Sequence, residues 1–148
     1  MKVSYKKALE MLTEYAYSEG YDLVDLEHVG VSKLHFEQSI HIQGDCSDEY
    51  KVYYFLHELG HHILRKDKEA FKKAFPLVYR VELLRSKPYK RKLKRRREYF
   101  VDALNEEYMA WEEGLKLAVE MGLHLHKRNW KNVRTGCLMA YIRYYSSI

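Results

Sequence analysis

Apolar residues along this chain recur mostly at intervals of three and four, the spacing of a helix with one buried face. Over residues 4–19, Ala8, Leu9, Leu12, Tyr15 and Ala16 follow that spacing, and Gly20 supplies a stop. Residues 22–29 predict a short strand. The period shortens to two over 33–43, which predicts a strand with Leu34, Phe36, Gln38, Ile40 and Ile42 on one face and His35, Glu37, Ser39 and His41 on the other. Gly44 and Asp45 turn the chain. Asp45 or Ser47 can then cap a helix running to about Leu64, with Asp48 and Glu49 in its first turn, where the helix dipole favours acids. Val52, Phe55, Leu56, Leu59 and Ile63 form its apolar stripe. Residues 66–84 are helical in pattern but broken at Pro76, and the segment around Pro88 predicts a loop or arm. The longest helical pattern runs from about Arg95 to Met121 and stops at Gly122; a last, aromatic-rich helix covers about 130–146. The expectation is one mostly helical α+β domain over residues 1–148. A small antiparallel sheet of two or three strands should pack on the helix that begins near Ser47.

Composition agrees with that reading. At 47% apolar and 14% aromatic residues the chain can bury a core, and two prolines and seven glycines leave few helix breakers. No apolar run approaches the length of a membrane span, and the basic N-terminus has no apolar segment behind it, so neither a transmembrane helix nor a secretory signal is expected. Two cysteines, Cys46 and Cys137, are too few for a disulfide framework and point to reduced thiols and a cytoplasmic location. The net charge of +5 is local in origin. Nine basic residues and no acid lie between Arg85 and Arg97; the rest of the chain carries seventeen basic and twenty-one acidic residues, a net −4. A solvated arm, contact with nucleic-acid phosphates and docking to an acidic partner all remain open for this basic insertion. Only Tyr89 interleaves an aromatic, which gives base stacking little support.

The chemistry lies in His57-Glu58-Leu59-Gly60-His61, an H-E-x-x-H inside the predicted helix. Positions i and i+4 share a face, so His57 and His61 can aim two imidazoles at one ion. Glu58 lies about 100° round the helix, where it suits a general base acting on a metal-bound water better than a third ligand. With eight histidines and fifteen glutamates, chance would produce the pattern only about 0.04 times in a chain of this length. Gly60 costs about 1 kcal/mol relative to alanine in a helix interior, and close approach of another backbone or of a substrate would account for it. A metzincin continuation is excluded, because Leu64 and Asp67 stand where its glycine and third histidine belong. The long helix offers another ligand. Its stripe passes through Leu104, Tyr108, Trp111, Leu115 and Ala118; Glu107 falls within it, while Glu106 and Glu112 fall outside and read as solvated. Ala110, one turn on, is small enough to let the two helices approach. His124 and His126 are the alternative third ligands, and His62 reads as packing or solvent-facing.

His57-Glu58-Leu59-Gly60-His61 followed by Glu107-Tyr108-Met109-Ala110-Trp111 resembles the gluzincin-like small metallopeptidases, in particular the IrrE/ImmA-type and phage-encoded group with its H-E-x-G-H and downstream E-x-x-A. The resemblance covers about residues 33–121, with 45 residues between His61 and Glu107. It implies a zincin-like fold, Zn²⁺ on His57, His61 and Glu107, Glu58 as base, and a strand like 33–43 that binds extended peptide. The reading is therefore a cytoplasmic zinc peptidase acting on a peptide or protein substrate. A histidine from 124–126 as third ligand would instead resemble the SprT-like, DNA-associated proteases. The rival class is a non-catalytic regulatory or nucleic-acid-associated protein whose metal, if any, is structural.

Overall fold

The computed structural model describes residues 2–35 and 38–147. Helix α1 (Tyr5–Ser18) starts where the Ser4 hydroxyl accepts from the Lys7 amide, and it buries Ala8, Leu9, Leu12 and Ala16. Past its end Gly20 takes a positive φ of 99°, a conformation that side chains other than glycine rarely adopt. Three strands follow: β1 (Leu23–His28), β2 (Lys33–His35) and β3 (Ser39–Gln43). The alternating segment 33–43 is thus two strands rather than one. They pair antiparallel, with Leu34 opposite Ile40, and Gln38 lies in the turn between them. Phe36 and Glu37, assigned to opposite strand faces by the alternation, lie outside the described residues. The sheet order is β1-β3-β2, and β1 runs parallel to β3. The sheet is therefore mixed, not antiparallel throughout. Alternation reports which face is buried; it carries no information on the direction of a neighbouring strand.

Helix α2 (Asp48–Lys66) is the centre of the molecule. Ser47, not Asp45, caps it by accepting from the Tyr50 amide at 3.2 Å. Its Val52, Phe55, Leu56 and Leu59 are fully buried against α1 and against Ile40 and Ile42 of β3. Side chains of this size each contribute about 1.5–3 kcal/mol when fully buried. Pro76 does break the next segment. Helix α3 (Lys68–Ala74) ends before it, and α4 (Pro76–Leu83) begins with it in the first helical position, where its missing N–H costs nothing. Asp102, from the long helix described next, accepts from the Leu77 and Val78 amides at 2.9 Å each, satisfying the free N–H groups at the start of α4.

The basic segment is a helix rather than a loop or arm: α5 (Lys87–Lys94) has Pro88 in its first turn and buries Leu93. One apolar anchor suffices to hold it down while most of its cations stay in water. Helix α6 (Arg97–Glu120) then crosses α2, and α7 (Lys127–Ser146) closes the structure with Trp130 buried. The buried face of α6 runs through Ala103, Glu107, Ala110, Gly114 and Ala118; Tyr108 is exposed, and Leu104 and Leu115 sit at the margins. It is rotated by about one residue from the stripe that the apolar spacing predicts, because Ala110 and Gly114 take the tightest contact with α2, with Trp111 buried beside them. A Cβ built on Gly60 would lie 1.9 Å from the Ala110 carbonyl oxygen, and one on Gly114 would lie 2.5 Å from that of Leu56. Each helix thus presents a glycine to the other's backbone. Among the described residues no helix is long and apolar enough to cross a membrane.

This crossing gives a matched pair of stability predictions. Gly60→Ala should destabilise the fold by about 3 kcal/mol or more, since the opposing atoms are backbone and cannot turn aside. Gly136→Ala, in α7 with nothing within 4 Å of the new methyl, should stabilise by about 0.5–1 kcal/mol. Urea unfolding of both variants checks the pair, and a Gly60→Ala midpoint equal to that of the unsubstituted protein would refute so close a crossing.

Candidate metal centre

The local geometry of α2 places His57 and His61 on one face, one turn apart, with their Nε2 atoms 3.1 Å from each other. The close crossing at Gly60 and Ala110 then brings in Glu107, one turn before Ala110 on α6. Its Oε2 lies 2.9 Å from Nε2 of His57 and 3.3 Å from Nε2 of His61. All three residues are buried, and their donor atoms lie within 4.8 Å of one another. Two imidazole nitrogens and one carboxylate oxygen converging from two helices form a donor set suited to a divalent cation. Glu58 adjoins this group without joining it: its Oε1 is 3.7 Å from Nδ1 of His57, on the far side of that ring.

His57 and His61 are held in turn by further contacts. Trp111 stacks on the His57 ring at a centroid distance of 4.3 Å and an interplanar angle of 10°. Trp130 packs edge-on against Trp111, and Tyr53 against Trp130. On the other side Glu106 is buried, not solvated as its position off the apolar stripe implies. Its Oε2 lies 3.0 Å from Nδ1 of His61, and its Oε1 pairs with Arg65. Arg65 also pairs with Glu82 at 2.5 Å and lies over the Phe71 ring. The stripe argument assumes one covered face, but α6 is covered by α2, α4 and α7 together, so adjacent residues are both buried. With Nδ1 turned to Glu106, His61 presents Nε2 to the centre, the arrangement that orients metal-binding histidines.

Electrostatics at the centre favour positive charge. Burial alone would raise the Glu107 carboxyl, but the charge on His61 and hydrogen bonds from both imidazoles outweigh it and hold that carboxyl well below its usual range. Burial would likewise lower His61, and the charges of Glu107 and Glu106 reverse this to a marked rise. Glu58 is compensated only in part: burial raises it, and His57 and His61 offset some of that rise. A carboxyl raised toward neutrality is suited to exchanging a proton with substrate. Tyr141 of α7, which no spacing in the sequence marks out, lines the same cleft as these residues. Burial, then the charge of Glu107 and a hydrogen bond to it, push its phenol far up, so it remains a proton donor.

Two clefts open onto the centre. One, of about 420 Å³, is lined by His57, Glu58, His61 and Glu107 together with Lys33, Leu34, Tyr99 and Tyr145. The second, of about 430 Å³, reaches His57 and Glu58 from the side of Tyr54 and Cys137. Tyr141 lines both. The remaining candidates lie elsewhere. His126 caps α7, its Nδ1 accepting from the Asn129 amide at 3.2 Å, and His124 is exposed. His62 sits 3.0 Å from the Tyr21 hydroxyl and 3.4 Å from Glu19. The Cys46 thiol donates to the Gln43 carbonyl, and burial pushes the Cys137 thiol up to about 11. Comparisons with models of protein families, with curated proteins and with solved structures find no match to this chain.

The geometry distinguishes the candidate ligands from the groups that support them. His57→Ala and Glu107→Ala should each abolish tight Zn²⁺ binding at this centre. Glu106→Ala should weaken it about 10–100-fold, by freeing the His61 ring. Competition for Zn²⁺ against a chromophoric chelator measures all three, and an unchanged affinity in Glu106→Ala would show that His61 needs no such support.

Proposed function

We propose that the protein is a zinc-dependent peptidase of the gluzincin type, similar to the IrrE/ImmA-type small metallopeptidases, and that it acts in the cytoplasm. The observation that carries this reading is the convergence of His57, His61 and Glu107 in a cleft that also holds Glu58. Zn²⁺ bound there would supply a Lewis acid for the attacking water and the scissile carbonyl. Glu58 accepts a proton from that water as its oxygen bonds to the carbonyl carbon. It then delivers the proton to the amine nitrogen as the C–N bond breaks. The Tyr141 hydroxyl, at the junction of the two clefts, donates to the developing oxyanion. Strand β2 is an edge strand beside this cleft, with Lys33 and Leu34 in the wall, so its free backbone groups suit an extended peptide.

The basic helix supports a refinement of substrate choice. Arg91, Lys94 and Arg95 line a cavity of about 600 Å³ with Tyr99, Tyr144 and Tyr145, and Tyr99 and Tyr145 also wall the catalytic cleft. An acidic stretch of a substrate beyond the cleaved bond fits this charge. The same exposed cations favour a second reading, a nucleic-acid-associated protein held through phosphates.

Glu58→Gln should keep its zinc and its fold while losing about 10²–10⁴-fold in kcat. Tyr141→Phe should lose about 10²–10³-fold in kcat with little change in KM. Peptide-library cleavage assays on the zinc-loaded chain check both; full activity in Glu58→Gln would reject the mechanism. Neutralising Arg91, Lys94 and Arg95 to glutamine should raise KM for peptides with flanking acids and leave neutral peptides unaffected. Should the unsubstituted protein instead cleave no peptide and bind duplex DNA with an affinity falling steeply with salt, the second reading takes over.

A further inference from the structure

On the face of the sheet opposite the buried Ile40 and Ile42, three half-buried side chains converge: Asp25 and His28 of β1 and His41 of β3. We propose that they form a second, independent zinc site. Asp25 and His41 are direct cross-strand partners, so their side chains project from the same face. His28, three residues after Asp25, would point the opposite way in a regular strand. A register shift between Asp25 and His28 sets three residues of β1 against two of β3, and this bulge turns His28 onto the same face. The bulge is supported from outside the strand. The Gly44 amide donates to the His28 carbonyl at 2.9 Å, and a Cβ on Gly44 would lie 2.5 Å from the Glu27 Cα, so only glycine fits there.

The donor atoms are oriented as well as adjacent. Oδ1 of Asp25 accepts from the Glu27 amide at 2.9 Å, which leaves Oδ2 for the site. Nε2 of His41 is 3.1 Å from the Ser39 hydroxyl, which turns Nδ1 inward. Oδ2 of Asp25 lies 3.5 Å from Nδ1 of His41 and 3.8 Å from Nδ1 of His28. Bonds of 2.0–2.1 Å in tetrahedral zinc place neighbouring ligand atoms about 3.3 Å apart, so small rotations of His28 close the set. Two imidazoles and one carboxylate select zinc over magnesium or calcium, which prefer all-oxygen sites. The bound ion would tie β1 to β3 across the bulge. It would also pin the end of β1, from which the chain continues through Val31 and Ser32 into the wall of the second cleft.

The test is a zinc titration of the chelator-stripped full chain by calorimetry, with thermal melting in parallel. The unsubstituted protein should bind two Zn²⁺ per chain. His57→Ala/His61→Ala should retain one, and its melting temperature should still rise with added Zn²⁺. Adding His28→Ala to that background should abolish both the binding and the shift, and adding Asp25→Asn should weaken binding at least tenfold, with circular dichroism confirming the fold of each. If His57→Ala/His61→Ala binds no zinc, or if His28→Ala leaves its remaining zinc undisturbed, the second site is refuted. Because the decisive variant lacks the catalytic histidines, the outcome does not depend on whether the first centre is catalytic.

Discussion

The contact between α2 and α6 at Gly60 and Ala110 governs the rest of the structure. Helices in proteins commonly pack with axes 8–10 Å apart, a distance set by the side chains between them. Here glycine faces backbone from both directions, Gly60 against Ala110 and Gly114 against Leu56, so no side chain holds the helices apart. Glutamate is short, and Glu107 reaches two imidazoles on the facing helix because the helices meet this closely one turn away. The same contact seats Trp111 on the His57 ring and closes the core. Folding the core and assembling the donor set are therefore one packing event, and a cation shared by the two helices would reinforce it.

Concentrating ionisable groups at that contact carries a cost. His57, Glu58, His61, Glu106 and Glu107 are all buried, and burying charge is unfavourable unless it is matched. The matching is incomplete by construction. Arg65 answers Glu106 and Glu82, and the imidazoles answer Glu107, while Glu58 is left raised by its burial. The result is a pocket with more acid than base, lined on one side by an aromatic column from Tyr53 through Trp130 to Trp111. Such a wall gives little scope for solvent relaxation, so the charges of these groups act strongly on one another.

The periphery follows a different logic. Helix α5 has one buried side chain, Leu93, and its charges remain in water, so it adds little to the core. Its contribution is position, since it sets three cations beside tyrosines that also wall the cleft at His57, His61 and Glu107. The sheet likewise does more than cover α2. Its inner face supplies Ile40 and Ile42 to the core, while its bulge gathers Asp25, His28 and His41 on the opposite face.

Features governed by spacing within one element were legible in the sequence by itself. A helix places i and i+4 on one face whatever surrounds it, so His57 and His61 could be read as a pair from the motif alone. The cap at Ser47, the break at Pro76 and the stop at Gly20 are equally local. Gly60 and Ala110 signalled a close approach because neither has bulk to prevent one. Features that depend on which faces are covered, and by what, needed the tertiary structure. Glu106 reads as solvated until α2, α4 and α7 are seen to surround α6. The phase of the α6 stripe shifts because small residues, which carry little hydropathy signal, take the tightest contact. The parallel pairing of β1, the bulge that turns His28 and the place of Tyr141 between two clefts all depend on partners distant in the chain. Periodicity specifies a face, but only the packed neighbours decide whether that face meets water, protein or a bound ion.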